Sequence, residues 1–152
     1  MSDDLERAQR VREAVARVAH TIDARRWAEL RALFADEVET DYTSLFGGQV
    51  QRQGGDVLIE TWRKLLSPLR ATQHLLGPVE VRLEGPRARA ECHVRGYHYL
   101  EGLPGGPEWM VAGHYLFELV EAAGQWRIAK MTLQAYYQTG NRNLLQEAAQ
   151  RS

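Results

Sequence analysis

Arg87–Leu100, RARAECHVRGYHYL, alternates from end to end. Ala88, Ala90, Cys92, Val94, Gly96 and His98 fall on one parity, and Arg89, Glu91, His93, Arg95, Tyr97 and Tyr99 on the other. A period of two is the pattern of a strand with one buried and one wetter face, and it sends His98 inward among small and apolar neighbours. Before this strand, Val79, Val81 and Leu83 alternate with Glu80, Arg82 and Glu84, and Glu84-Gly85-Pro86-Arg87 makes the turn. After it, Pro104-Gly105-Gly106-Pro107 is a loop, Trp109–Val120 a long strand, Ala122-Ala123-Gly124 a turn and Trp126–Tyr137 the last strand. Arg127 and Lys130 are on opposite parities of that strand, and a bulge near Ala129 would place both outside.

Upstream the period changes. Val11, Val15, Val18 and Ile22 recur at helical spacing and predict an amphipathic helix over Asp4–Ile22. A shorter helix is expected to carry Trp27, Leu30 and Phe34 on one face. Val38, Thr40 and Tyr42 read as one face of a strand, and Gly47-Gly48 and Gly54-Gly55 bracket a loop. Asp56 is the expected N-cap of a third helix that buries Leu58, Trp62, Leu65, Leu66 and Leu69, with Pro68 ending it. After Thr72 the chain is mostly strand, and His74 sits at a strand start. Helix, helix, strand, helix and then a run of strands is an α+β order, with helices covering one face of a curved, mostly antiparallel sheet. One domain is expected over residues 1–140, with a tail or short helix over 141–152.

The chain has 152 residues, 44% hydrophobic and 26% charged, with a formal net charge of −1. That suits one globular core and argues against disorder. No basic stripe marks a nucleic-acid binder, and no run approaches the ~20 apolar residues of a membrane span. Cys92 is the single cysteine, so no intramolecular disulfide can form. The acidic segment Met1–Glu6 lacks the apolar stretch of a secretory signal, and a cytoplasmic location is expected.

The sequence holds no HExxH, CxxC, EF-hand, P-loop, dinucleotide fingerprint or GxSxG motif. His93 and His98 lie on opposite strand faces and cannot share a metal. No metal and no cofactor are expected; any chemistry is acid–base chemistry by side chains. His98 is the first candidate, although a core histidine satisfied by one hydrogen bond is the plainer reading of it alone. Asp23 falls at the edge of the first helix's apolar stripe, near its C-terminus, where the helix dipole disfavours an acid. Turned inward it needs a partner, and held against His98 it would orient the imidazole and raise its pKa. Otherwise it is a solvated turn residue. An inward Tyr42 hydroxyl could polarise a carbonyl; alone it reads as an amphipathic core tyrosine. Trp62, Val94, Val111, Tyr115, Phe117 and Met131 are the candidate apolar lining of a ligand cavity. Met110, Ala112, His114 and Leu116 share the outer parity and predict a face covered by a second copy.

Five stretches at the joints of this element order carry a resemblance: Ile22–Trp27 with Leu30-Arg31, Asp41-Tyr42, Thr72–Gly77, Gly96-Tyr97-His98 and Gly124–Arg127. In order and spacing the chain resembles the nuclear transport factor 2-like superfamily, and within it SnoaL-like proteins and scytalone dehydratase. The resemblance implies a cone-shaped α+β barrel, a curved sheet around the first helix, a cavity for a small apolar or aromatic ligand, and a homodimer through the outer sheet face. Carried over by position, Asp23, Tyr42, His74 and His98 match active-site residues of scytalone dehydratase. Ile22 stands where that family has a second active-site tyrosine, and Tyr115 where it has a small polar side chain. Scytalone itself is therefore not the expected substrate. The implied activity is a cofactor-independent dehydratase or isomerase acting on a small cyclic or aromatic hydroxy-ketone. Here His98 would be the base, Tyr42 would stabilise an enolate, and His74 would act as an acid or hold the substrate. The alternatives are a non-catalytic binding or accessory protein of the same fold, or a polyketide cyclase or ketosteroid-type isomerase.

Overall fold

The computed structural model describes residues 2–151. Its first element is the helix α1 (Ser2–Asp23), whose Val11, Val15, Val18 and Ile22 form the buried stripe. Asp3 and Asp4 in its first turn suit the positive end of the helix dipole. At the other end, Arg25 N–H bonds the Ile22 carbonyl and Arg26 N–H bonds that of Thr21. This is a Schellman stop with Arg25 in the left-handed conformation (φ 59) normally left to glycine. It fixes Asp23 as the last helical residue.

There follow α2 (Trp27–Ala32), β1 (Phe34–Asp41), α3 (Thr43–Phe46), β2 (Gln51–Gly54), α4 (Gly55–Leu66), β3 (Ala71–Leu76), β4 (Glu80–Glu84), β5 (Arg87–Tyr99), β6 (Glu108–Ala122), β7 (Gln125–Gly140) and α5 (Leu144–Arg151). The sheet runs β2-β1-β7-β6-β5-β3, and β4 also pairs with β5. The β1–β7 pair is parallel and the other pairs are antiparallel. β5 serves two partners in turn: β4 along Arg87–Glu91 and β3 along Val94–Tyr99. The sheet stays open, curling around α1, with α4 and α5 adding to the same core. This is the expected α+β cone. Burying a full Val, Leu, Ile or Phe side chain is worth about 1.5–3 kcal/mol, and the buried α1 stripe and inward strand faces form one cluster.

The alternation of residues 87–99 holds as read: Ala88, Ala90, Cys92, Val94, Gly96 and His98 are buried. The bulge at Ala129 is present, because Glu118 pairs with Lys130 while Leu119 pairs with Ile128. A second bulge lies between Ala112↔Tyr137 and Gly113↔Ala135, with Tyr136 as the extra residue. Other readings need correction. Phe34 begins a strand rather than ending a helix, and the loop expected between the glycine pairs contains β2, with the short α3 just before it. Gly54, not Asp56, caps α4; Asp56 is drawn away by Arg31, whose Nε lies 2.6 Å from its Oδ1. Leu65 is exposed. The C-terminal segment forms α5, which buries Leu144 and Ala148.

Candidate active site

Asp23 at the end of α1 meets β3. Its Oδ2 accepts the His74 backbone N–H at 2.7 Å, and its Oδ1 accepts the Thr72 hydroxyl at 2.9 Å and lies 2.8 Å from His74 Nδ1. An acid at the negative end of a helix is thus compensated by three donors from one strand. Burial pushes this carboxyl up, but the hydrogen bonds and charge of His74 with the Thr72 hydroxyl outweigh it and hold the carboxyl below its ordinary value. A carboxylate can only accept, so His74 Nδ1 carries the proton, and in the neutral ring Nε2 keeps its lone pair. That nitrogen lies over Gly96, the cross-strand partner of His74, where a Cβ would approach it to 3.4 Å. Glycine here is space for an imidazole.

His98 faces the same cavity from β5, its ring edge-on to His74 at 5.9 Å and tilted by 32° against Trp109 at 4.5 Å. Its Nδ1 donates to the Trp109 carbonyl at 3.2 Å, which leaves Nε2 as an acceptor. Burial chiefly, with the His74 charge beside it, pushes this imidazole down to about 4; the hydrogen bond to the Trp109 carbonyl and the more distant Asp23 oppose the shift without overcoming it. Two sequence expectations are therefore corrected. Asp23 holds His74, not His98, and the His98 pKa is lowered rather than raised. The reason is register: Thr72 pairs with His98 and His74 with Gly96, so His74 is the ring level with the end of α1.

A cavity of about 280 Å³ opens in front of these groups. Tyr42, His74, His98, Trp62, Val94, Val111 and Tyr115, all expected at the site, line it. Asp23 stands behind His74. Phe117 and Met131 do not line it; both are core residues with 1% and 0% exposure, one layer beneath. Sequence reading missed Thr40, Leu45, Gln51, Gln53, Leu58 and Leu133. Gln51 and Gln53 come from β2, a four-residue strand without periodic signal. The Tyr42 hydroxyl donates to the weakly accepting Met131 sulfur, at 3.8 Å, and burial pushes its phenol pKa up. Among the described lining residues none is Lys, Arg, Asp or Glu. Among the described residues no group of three or more His, Cys, Asp or Glu is placed to hold a metal, and no helix is long and apolar enough to cross a membrane.

A SnoaL-like domain profile matches residues 3–132. The chain belongs to the SnoaL-like domain family. Among solved structures, this SnoaL-like chain is similar to the Kfla4162 protein of Kribbella flavida, at 27% identity and TM-score 0.86 over 93% of this chain and 99% of that one. It is also similar in fold to a scytalone dehydratase-like protein of Novosphingobium aromaticivorans, at 20% identity and TM-score 0.79 over 92% and 91%. A type 2 hexachlorocyclohexane dehydrochlorinase, LinA, shares the fold at 17% identity and TM-score 0.77 over 91% and 90%. No curated protein matches the sequence. The SnoaL-like chain thus has the nuclear transport factor 2-like cone, on which proteins named for dehydratase and dehydrochlorinase activities are also built.

Proposed function

We propose that this SnoaL-like protein is a cofactor-independent lyase or isomerase acting on a small cyclic or aromatic hydroxy-ketone, with His74 as its base. The observation that carries this reading is the 2.8 Å contact of Asp23 with His74 Nδ1 at the wall of an otherwise uncharged cavity. A carboxylate on Nδ1 fixes the tautomer, aims Nε2 at the ligand and stabilises the imidazolium that forms. His74 Nε2 takes a proton from the carbon next to the carbonyl. The electron pair of that C–H bond becomes a C=C bond, and the carbonyl oxygen becomes an enolate, to which Tyr42 donates. In a dehydratase the electrons then return to expel the β-hydroxyl, which takes the proton back from the His74 imidazolium. In an isomerase the same imidazolium returns it to another carbon. His98, kept neutral, accepts a hydrogen bond from a substrate hydroxyl and fixes which face meets His74. The ligand is small and apolar or aromatic, as the lining requires, and the working unit is a homodimer joined through the outer sheet face.

Asp23→Asn tests the reading. With hydroxy-ketones screened for loss of water or double-bond migration, kcat is expected to fall by roughly 10²–10⁴, the range of a positioned acid–base group, with KM changed much less. Unchanged kcat would return Asp23 to a purely structural role.

A further inference from the structure

The Tyr115 phenol is the buried titratable group of the cavity wall that the reading above leaves unused. Tyr115 is 7% exposed and lines the main cavity together with Tyr42, His74 and His98. It also lines the narrow cleft behind, with Ile22, His74 and Phe117, so its ring stands on the His74 side of the cavity. The ring is fixed on β6 between Cys92 of β5 and Leu133 of β7, and Phe117 packs against it at 5.4 Å. Its hydroxyl is not one of the fully buried side-chain atoms left without a partner, and the space it borders is the cavity. The Tyr42 hydroxyl donates to a thioether sulfur, a weak acceptor. Burial, and after it the neighbouring Tyr42, Cys92 and Asp23, push the Tyr115 pKa well above that of a free phenol, so it remains a donor at neutral pH. Two protonated phenols therefore border the same space.

We propose that Tyr115 and Tyr42 form a two-donor site for one anionic oxygen of the ligand, an enolate or phenolate oxygen, with Tyr115 the donor on the His74 side. This rests on His74 as the base. When Nε2 takes the carbon-bound proton, the carbonyl electrons move onto oxygen, and both hydroxyls donate to that oxygen without transferring their protons. The imidazolium formed, with Asp23 behind it, balances the new charge. The proposal narrows the ligand class to molecules whose reacting oxygen bears negative charge in the intermediate.

The probe is 4-nitrophenol, whose absorbance reports whether it is bound as phenol or phenolate, with 4-nitroanisole as the same ring without an ionisable oxygen. Tyr115→Phe keeps the ring and removes only the donor. It is expected to weaken 4-nitrophenolate binding about tenfold, as for one lost charge-assisted hydrogen bond. 4-Nitroanisole binding should change less than twofold, which also shows that the variant is folded. Tyr42→Phe should behave alike. Equal 4-nitrophenolate affinity in wild type and Tyr115→Phe would overturn the proposal, and so would a wild-type protein that binds neither probe. Asp23→Asn separates this outcome from the reading beneath it. If His74 is the base, Asp23→Asn lowers the phenolate fraction of bound 4-nitrophenol. If that fraction is unchanged, the base assignment fails, while the Tyr115→Phe comparison still decides the donor site.

Discussion

His74 and His98 are imidazoles 5.9 Å apart, and their partners send them opposite ways. One is backed by a carboxylate, the other by a carbonyl and an indole face. The His98 arrangement has a consequence for stability. Unfolded, His98 binds a proton near pH 6.5; folded, it does so only near 4. Between these values the unfolded chain holds more protons, so stability falls as pH falls from about 6.5 to 4 and the effect levels off below. Its size is of order 3 kcal/mol at about 1.4 kcal/mol per tenfold change in proton affinity. The depressed Asp23 acts in the same direction lower down, losing its contribution as pH drops below the ordinary carboxylate range. Urea melts across this window should show the decline, and His98→Gln, which keeps a donor but does not titrate, should flatten it. Gly96 makes a separate prediction. A Cβ there would come within 3.3 Å of His74 Cδ2, and His74 is tethered and has little room to yield. Gly96→Ala is expected to destabilise by about 1–3 kcal/mol, the usual cost of overpacking, and to lower kcat about tenfold by displacing Nε2. The residue types at the site were legible because strand parity assigns faces. The pairing was not, because parity cannot say which of two inward histidines lies level with the end of a helix. That is decided by the β3–β5 register and by where α1 stops.

The stop itself depends on Arg25. A side chain at φ 59 costs about 1–2 kcal/mol relative to glycine, yet the guanidinium bonds the carbonyls of Leu66, Ser67 and Leu69 at 3.0, 3.1 and 2.7 Å. These carbonyls belong to the last residue of α4 and the turn that follows it, and Trp62, Leu65 and Leu66 of α4 line the cavity. Arg25 thus ties the turn that presents Asp23 to the helix that roofs the ligand. Arg25→Ala keeps the strain and loses the bonds, and is expected to destabilise by about 2–3 kcal/mol; Arg25→Gly loses the bonds and relieves the strain, and should cost about 1 kcal/mol less. Thermal or urea melts of the two variants measure the difference, and equal losses would mean that the left-handed turn stores no strain. Nothing in the sequence around Ala24-Arg25-Arg26 announces this, since glycine is the usual mark of such a stop. Elements were legible in proportion to their length. α1 and the three long strands β5, β6 and β7 repeat their period often enough to be read, and the charge spacing of Arg127 and Lys130 located a bulge. α3 and β2 have four residues each, less than one informative repeat.

At the scale of the molecule, the open sheet has a concave side filled by helices and an outer side that no helix of the described residues covers. The apolar outer face lies one step away from the residues that sequence parity singled out. Met110 and Ala112 are already buried within the chain, at 8% and 5% exposure. The exposed groups are Leu75, Tyr97, Tyr136 and Tyr137. The bulge in β7 places two consecutive tyrosines on this side: Tyr136 lies 6.0 Å from His93, which packs edge-on against His114, and the Tyr137 hydroxyl accepts from Arg95 at 3.0 Å. Aromatic residues with polar tips and an arginine at hand are the composition of an interface core rather than of open surface. A stable homodimer buries about 1,200–2,000 Å² in total, which these strands have the length to supply. Sedimentation at micromolar concentration is expected to show a dimer. Tyr136→Glu sets a like charge against its own copy across a two-fold axis and should shift the protein to monomer, leaving 4-nitroanisole binding in the cavity unchanged because Tyr136 lies on the far side of the sheet. A wild-type monomer under these conditions would remove the dimer from the proposal. A Tyr136→Glu variant that stays dimeric would move the contact off this face, leaving the paired tyrosines without a role in assembly.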